Sequence, residues 1–158
     1  NTWIQQYFVG NYIYSLYFPS ALIGYAAGSS GIYKTTDGGQ SWTKKSSGQL
    51  LHFHFINNTN GFAVGSDGLI MKTTDGGNTW ETTQHNSSCA LSSVFMTSND
   101  SIFAFGYCGN ILQTSNAGVT WQKISNASGL GFYGQIMEGL RGKYYHLIRS
   151  VLYFQLIL

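Results

Sequence analysis

Charge is the scarcest commodity in this sequence. Only 9% of the 158 residues are charged, against roughly 25% in an ordinary soluble domain, and no arginine occurs before Arg141. A formal net charge of +2 is too small to draw nucleic acid or an anionic membrane surface by electrostatics alone. Long apolar runs are missing too. The most apolar stretch, "VLYFQLIL" at 151–158, falls far short of the roughly 20 residues a membrane helix needs, so no membrane insertion is expected. The opening "NTWIQQYFVG" has neither the basic start nor the apolar stretch of a signal peptide. Helical periodicity is absent from the first 124 residues, and no P-loop, dinucleotide fingerprint or Ser-His-Asp constellation can be found. No cofactor is expected.

In place of charge the chain carries 16% aromatic residues and 20 glycines, with a polar complement of Ser, Thr, Asn and Gln. Asn57, Asn86, Asn99 and Asn126 each open an Asn-x-Ser/Thr triplet, the acceptor pattern for glycosylation. Two cysteines, Cys89 and Cys108, allow a single disulfide. This composition suits a processed module with an extracellular or periplasmic address.

One phrase recurs: "KTTDGGQSW" at 34–42, "KTTDGGNTW" at 72–80 and, blurred, "QTSNAGVTW" at 113–121. Its tryptophans, Trp42, Trp80 and Trp121, stand 38 and 41 residues apart, and Trp3 lies 39 before Trp42. A period near 40 residues, filled with short apolar segments and glycine turns, marks a propeller blade. Each unit runs from an apolar strand ("IYSLYF", "LLHFHF", "LSSVFM") through a polar turn to a second strand ("IGYAAG", "GFAVG", "IFAFG"). A G-x-x-G turn, a third strand ("IYKT", "IMKT", "ILQT") and the repeated phrase follow, and the Trp opens a fourth strand. The fold class is therefore all-β, an array of four-stranded antiparallel blades.

Within the phrase, Asp37 and Asp75 are placed to accept backbone N–H groups of an Asx-type turn. Gly39, Gly77 and Gly118 supply backbone conformations that side chains resist. Trp42, Trp80 and Trp121 are expected to wedge into the apolar layer between units. Asn116 replaces the Asp in the third copy, keeping a carbonyl acceptor without the charge. A catalytic carboxylate would not survive that exchange, so the phrase reads as structure.

These residues resemble the Asp-box, or BNR repeat. The longer unit "FHFINNTNGFAVGSDGLIMKTTDGGNTW" is most similar to repeats of the photosystem II stability and assembly factor family, a repeat also widespread in secreted bacterial proteins. The resemblance covers residues 12–124 and implies a β-propeller. It brings two functional models with it. A sialidase would need three arginines around a substrate carboxylate, and only Arg141 and Arg149 exist. The photosystem family's partner surface is rich in arginine, which residues 1–140 lack.

Residues 1–158 are read as one domain, with blades at about 12–45, 50–83 and 91–124. A divergent last blade at about 130–158 would be completed by residues 1–7, giving a four-bladed ring; the alternative is an arc of a larger ring. His52 and His54 alternate with Phe53 and Phe55 and project from one strand face. They are either weak metal candidates or, as the mixed residues at Ser15, Tyr17, Ser93 and Phe95 suggest, ordinary occupants of an innermost strand. A hairpin turning near Asn99 places Cys89 opposite Cys108 if facing residue numbers sum to about 197. The function expected is a non-catalytic extracytoplasmic binding or scaffold module for a protein or glycan ligand, with self-association open. The alternatives are a filament or coat subunit and a photosystem-type assembly factor; a sialidase-like hydrolase comes last.

Overall fold

The computed structural model describes residues 12–83 and 88–124 in full, and the backbone of three further strands at 136–138, 144–148 and 151–155. Blade 1 comprises β1 (Ile13–Tyr17), β2 (Gly24–Gly28), β3 (Gly31–Thr35) and β4 (Thr43–Lys44). Blade 2 comprises β5 (Leu50–Phe55), β6 (Gly61–Gly65), β7 (Ile70–Thr73) and β8 (Glu81–Thr82). Blade 3 comprises β9 (Leu91–Met96), β10 (Ile102–Gly106), β11 (Ile111–Thr114) and β12 (Gln122–Lys123). A fourth sheet holds β13 (Ile136–Glu138), β14 (Tyr144–Ile148) and β15 (Val151–Gln155). Every sheet is an antiparallel meander in chain order. The tail thus supplies three strands; residues 1–7, expected to complete it, lie outside the described residues.

The second strands show why the blades stack. All five residues of β2 and of β6 are buried; β6 lies between blades 1 and 3, and β2 packs on blade 2. Ala26, Ala27, Ala63 and Ala104 keep the close approach possible. The core therefore lies between blades. Tyr25, Ala27 and Ile32 of blade 1 pack on Leu50, Phe53, Ala63 and Met71 of blade 2, with Trp80 at the margin. Phe62, Val64 and Ile70 of blade 2 pack on Leu91, Val94, Met96, Ile102, Ala104 and Leu112 of blade 3, with Trp121 at the margin. Each fully buried Phe or Ile side chain contributes about 2 kcal/mol. The fourth strands are two residues long and exposed, which limits edge pairing with other chains.

One irregularity recurs. Tyr14, Leu51 and Ser92 each stand as an extra residue between two paired positions of the first strand, a β-bulge at the same point of every described blade. In blade 3 it corrects the expected register. Ile102 faces Met96 and Phe105 faces Ser93, whereas Gly106 faces Leu91. The uniform sum of 197 holds only beyond the bulge. That one-residue shift brings Cys108 over Cys89, and the two form a disulfide with Cα atoms 6.2 Å apart.

Candidate functional site

The repeated turn is organised by a residue whose role the sequence did not disclose. The hydroxyls of Thr35, Thr73 and Thr114, each 2% exposed, accept the N–H of Gly39, Gly77 and Gly118 at 2.9, 2.8 and 3.0 Å. Each donates to the Asp or Asn two residues on, at 2.7, 2.9 and 2.8 Å. Asp37 Oδ1 then accepts the Ser41 N–H at 2.9 Å, and Asp75 Oδ1 that of Thr79 at 3.0 Å. The Ser41 and Thr79 hydroxyls donate to the second carboxylate oxygen. Those hydroxyl bonds, followed by the backbone donors at the same residues, hold both carboxyls at about 2.

Asn116 reproduces this frame without charge. Its Oδ1 accepts from Thr114 Oγ1 and, at 2.9 Å, from the Thr120 N–H. Its Nδ2 donates to Thr120 Oγ1 at 2.8 Å, so the hydroxyl turns from donor to acceptor. Ala117, where the other copies have Gly38 and Gly76, is held at φ 56.

Each turn also receives the preceding blade. Tyr25 and Phe62 lie on second strands directly opposite Lys34 and Lys72 on third strands. The ammonium groups stand 5.6 and 5.9 Å from the ring centroids, within cation–π range. Lys34 Nζ donates to the Gly76 carbonyl at 2.8 Å and to Asn78 Oδ1 at 3.0 Å, and the Tyr25 hydroxyl to the same carbonyl at 2.8 Å. Lys72 Nζ donates to the Ala117 carbonyl at 3.0 Å. A Cβ on Gly77 or Gly118 would stand 2.8 Å from the Tyr25 or Phe62 ring, so these glycines answer to the neighbouring blade as well as to their φ values. The signal was legible as an aromatic after the second-strand Gly and a Lys before the box Thr, repeating in phase.

His52 and His54 face blade 3. Their Nδ1 atoms accept the N–H groups of Val94 and Met96 on β9, each at 3.3 Å. Burial, and then the neighbouring His54, lower His52 to about 4, so it is neutral. With Nδ1 engaged the proton sits on Nε2, and neither ring offers Nδ1 to a metal. Among the described residues no three His, Cys, Asp or Glu gather around a common point.

Of the expected glycosylation sites, Asn57 and Asn99 meet across the blade 2–blade 3 seam. Asn57 Nδ2 and Asn60 Nδ2 both donate to Asn99 Oδ1, at 3.3 and 3.0 Å, while Asn57 Oδ1 accepts the Thr59 and Asn60 N–H groups. Asn86 and Asn126 lie outside the described residues.

Asp-box turns docked on preceding blades define an Asp-box β-propeller. The chain belongs to the photosynthesis system II assembly factor YCF48 family, whose model matches residues 45–131. It is 44% identical over 45 residues to the chloroplastic photosystem II stability/assembly factor HCF136 of Guillardia theta, covering 25% of this chain and 11% of that protein. Among solved structures, YCF48 bound to D1 peptide superposes with a TM-score of 0.69 at 21% identity, over 87% of this chain and 46% of that one. YCF48 from Cyanidioschyzon merolae gives 0.69 at 15% identity, over 93% and 54%. An ancestral GH74 enzyme gives 0.71 at 17% identity, over 90% and 22%; at that identity the likeness is one of fold alone. The chain thus spans about half the length of the YCF48 structures and a smaller part of the curated relative.

Family membership overturns the extracellular or periplasmic address, since the family is one of photosystem assembly factors and the curated relative is chloroplastic. The physical reason lies in the turns. Ser, Thr and Asn are abundant because they bond their own turns, which says nothing of an outer coat.

Proposed function

We propose that this chain forms an arc of a non-catalytic propeller that binds a protein segment of photosystem II during assembly in a photosynthetic compartment. The observation that carries the reading is the family match over residues 45–131, joined to a shared fold with a YCF48 chain solved with D1 peptide. The acid inventory supports a binding role. Asp37 and Asp75 are saturated by their own turns, and Asn116 does the same work without a carboxylate. An arc accounts for the superposition on about half of each YCF48 chain. The test is calorimetric titration of the protein with D1 peptide. Saturable binding, lost to a scrambled peptide of equal charge, is expected. Equal heats from both peptides would overturn the reading.

A further inference from the structure

The turn between β10 and β11 carries half of a sulfur pair that blade 2 does without. Cys89 and Cys108 stand where blade 2 has Gly48 and Asp67, 41 residues earlier. The backbone around them is the same in both blades. Gly106 faces Leu91 as Gly65 faces Leu50. The Tyr107 N–H donates to the Ala90 carbonyl at 2.9 Å, as the Ser66 N–H does to that of Gln49 at 3.0 Å. Blade 1 repeats the tie from the Ser29 N–H to the Tyr12 carbonyl at 2.9 Å. Cys108 takes φ 59, and Asp67, with no sulfur to hold it, takes φ 54.

Backbone bonds therefore set this turn, and the disulfide follows from its shape. Folding of blade 3 alone brings the two Cα atoms to their 6.2 Å separation, inside the usual span of a disulfide. The cysteines differ in access. Cys108 is exposed in the turn, whereas Cys89 is half-buried ahead of β9.

We propose that Cys108 and Cys89 form a thiol–disulfide exchange site that works on the folded blade, with Cys108 as its entry and a disulfide oxidant as its partner. In the first step the Cys108 thiol loses its proton, and the thiolate attacks one sulfur of the oxidant. A mixed disulfide forms, and the oxidant's other sulfur leaves as a thiolate. Cys89, deprotonated in turn, attacks Cys108 Sγ and closes the internal bond. The oxidant departs as two thiols, having taken up two electrons and the two protons. Reduction by a dithiol runs the same steps backwards, again through Cys108. A bond that stabilises a fold is stabilised by that fold to the same extent, so folding drives the exchange towards the disulfide. The site stands on the turn alone and is independent of what the propeller binds.

The test equilibrates the whole 158-residue chain with mixtures of reduced and oxidised glutathione, and counts thiols by alkylation and mass spectrometry. Circular dichroism of the reduced chain should keep the β-sheet signal of the oxidised one. Half-oxidation should need at least tenfold less oxidising glutathione mixtures in native buffer than in denaturing urea. Cys89→Ser should trap glutathione on Cys108 at least tenfold faster than Cys108→Ser traps it on Cys89. Loss of the β-sheet signal on reduction or in either variant would overturn the proposal, because the bond would then shape the turn. So would the same half-point in buffer and urea, or equal trapping rates in the two variants.

Discussion

Asn116 and Asp75 do one job with different charges, and the exchange isolates what the carboxylate adds. Both hold the hydroxyl two residues before and the N–H four residues after; only the hydroxyl at Thr79 or Thr120 reverses its sense. Asp75→Asn should therefore fold and melt like the parent at neutral pH. The difference belongs in acid. Asp75 is depressed to about 2, so its contribution is complete above the ordinary carboxylate value near 4 and is lost as pH falls towards 2. Urea unfolding at pH 3 and pH 7 should show a smaller drop for the variant than for the parent. At Ala117 the strain runs the other way. A left-handed residue with a Cβ costs about 1–2 kcal/mol, of which glycine's extra chain entropy takes back part. Ala117→Gly should raise stability by about 0.5–1 kcal/mol with an unchanged urea m-value. The Asp, Gly and Trp positions were legible because they repeat as letters. The buried Thr repeats as strictly but carries no sign of its role, since in sequence a hydroxyl that serves as donor and acceptor at once looks like any surface threonine in a Thr-rich chain.

At the level of the strand pair, the lesson is the bulge. Alternation of apolar residues marked β9 and β10, and the turn at Asn99 marked their hairpin, but the residue left over at Ser92 has no signature of its own. Leu51 and Tyr14 occupy the same place with unrelated side chains. Backbone geometry, imposed by curvature of the first strand, selects it. The disulfide depends on that residue being bulged out of the ladder. The cysteines are separated by 19 residues, and closing a loop of that size in the unfolded chain is worth about 3 kcal/mol in the entropic account. Cys108→Ser should lower the unfolding free energy by about that amount, and dithiothreitol should destabilise the parent to match while leaving the variant unmoved. If Ser92 stayed in the ladder, the register would run on and set Cys108 opposite Ala90. Deleting Ser92 removes the extra residue itself and keeps Gly106 opposite Leu91, so thiol alkylation should still find both cysteines closed.

For the molecule as a whole, the seams between blades decide stability, and the blade 2–blade 3 seam responds to pH. His52 titrates near 4 when folded and near 6.5 when unfolded. The unfolded chain therefore binds more protons between those values, and stability falls as pH drops from about 6.5 to about 4, by about 3 kcal/mol. Protonation turns Nδ1 into a donor, which cannot accept the Val94 N–H. No charged side chain lies on the facing strand β9 to soften the change. Hydrogen exchange should show Val94 and Met96 losing protection at pH 4.5 ahead of Ala26 and Ala27 in blade 1, and His52→Gln should flatten that part of the stability profile. The propeller class was readable from the 38- and 41-residue spacing of the tryptophans, because period and turn chemistry are local. The compartment was not, since internally bonded Asn and Ser give the same composition as a secreted surface.

The ring–lysine plug and its glycine socket lie on opposite faces of a blade, so every contact of this kind has a direction. A two-fold axis requires the same patch on both partners, and this joint offers a different patch on each side. Packing through it therefore runs head to tail. It either curves until the last socket meets the first plug, or continues as an open helical polymer. The phase in which aromatic and lysine are written along the chain thus carries a rule of direction: each such blade hands its ring and ammonium forward to the next and never back.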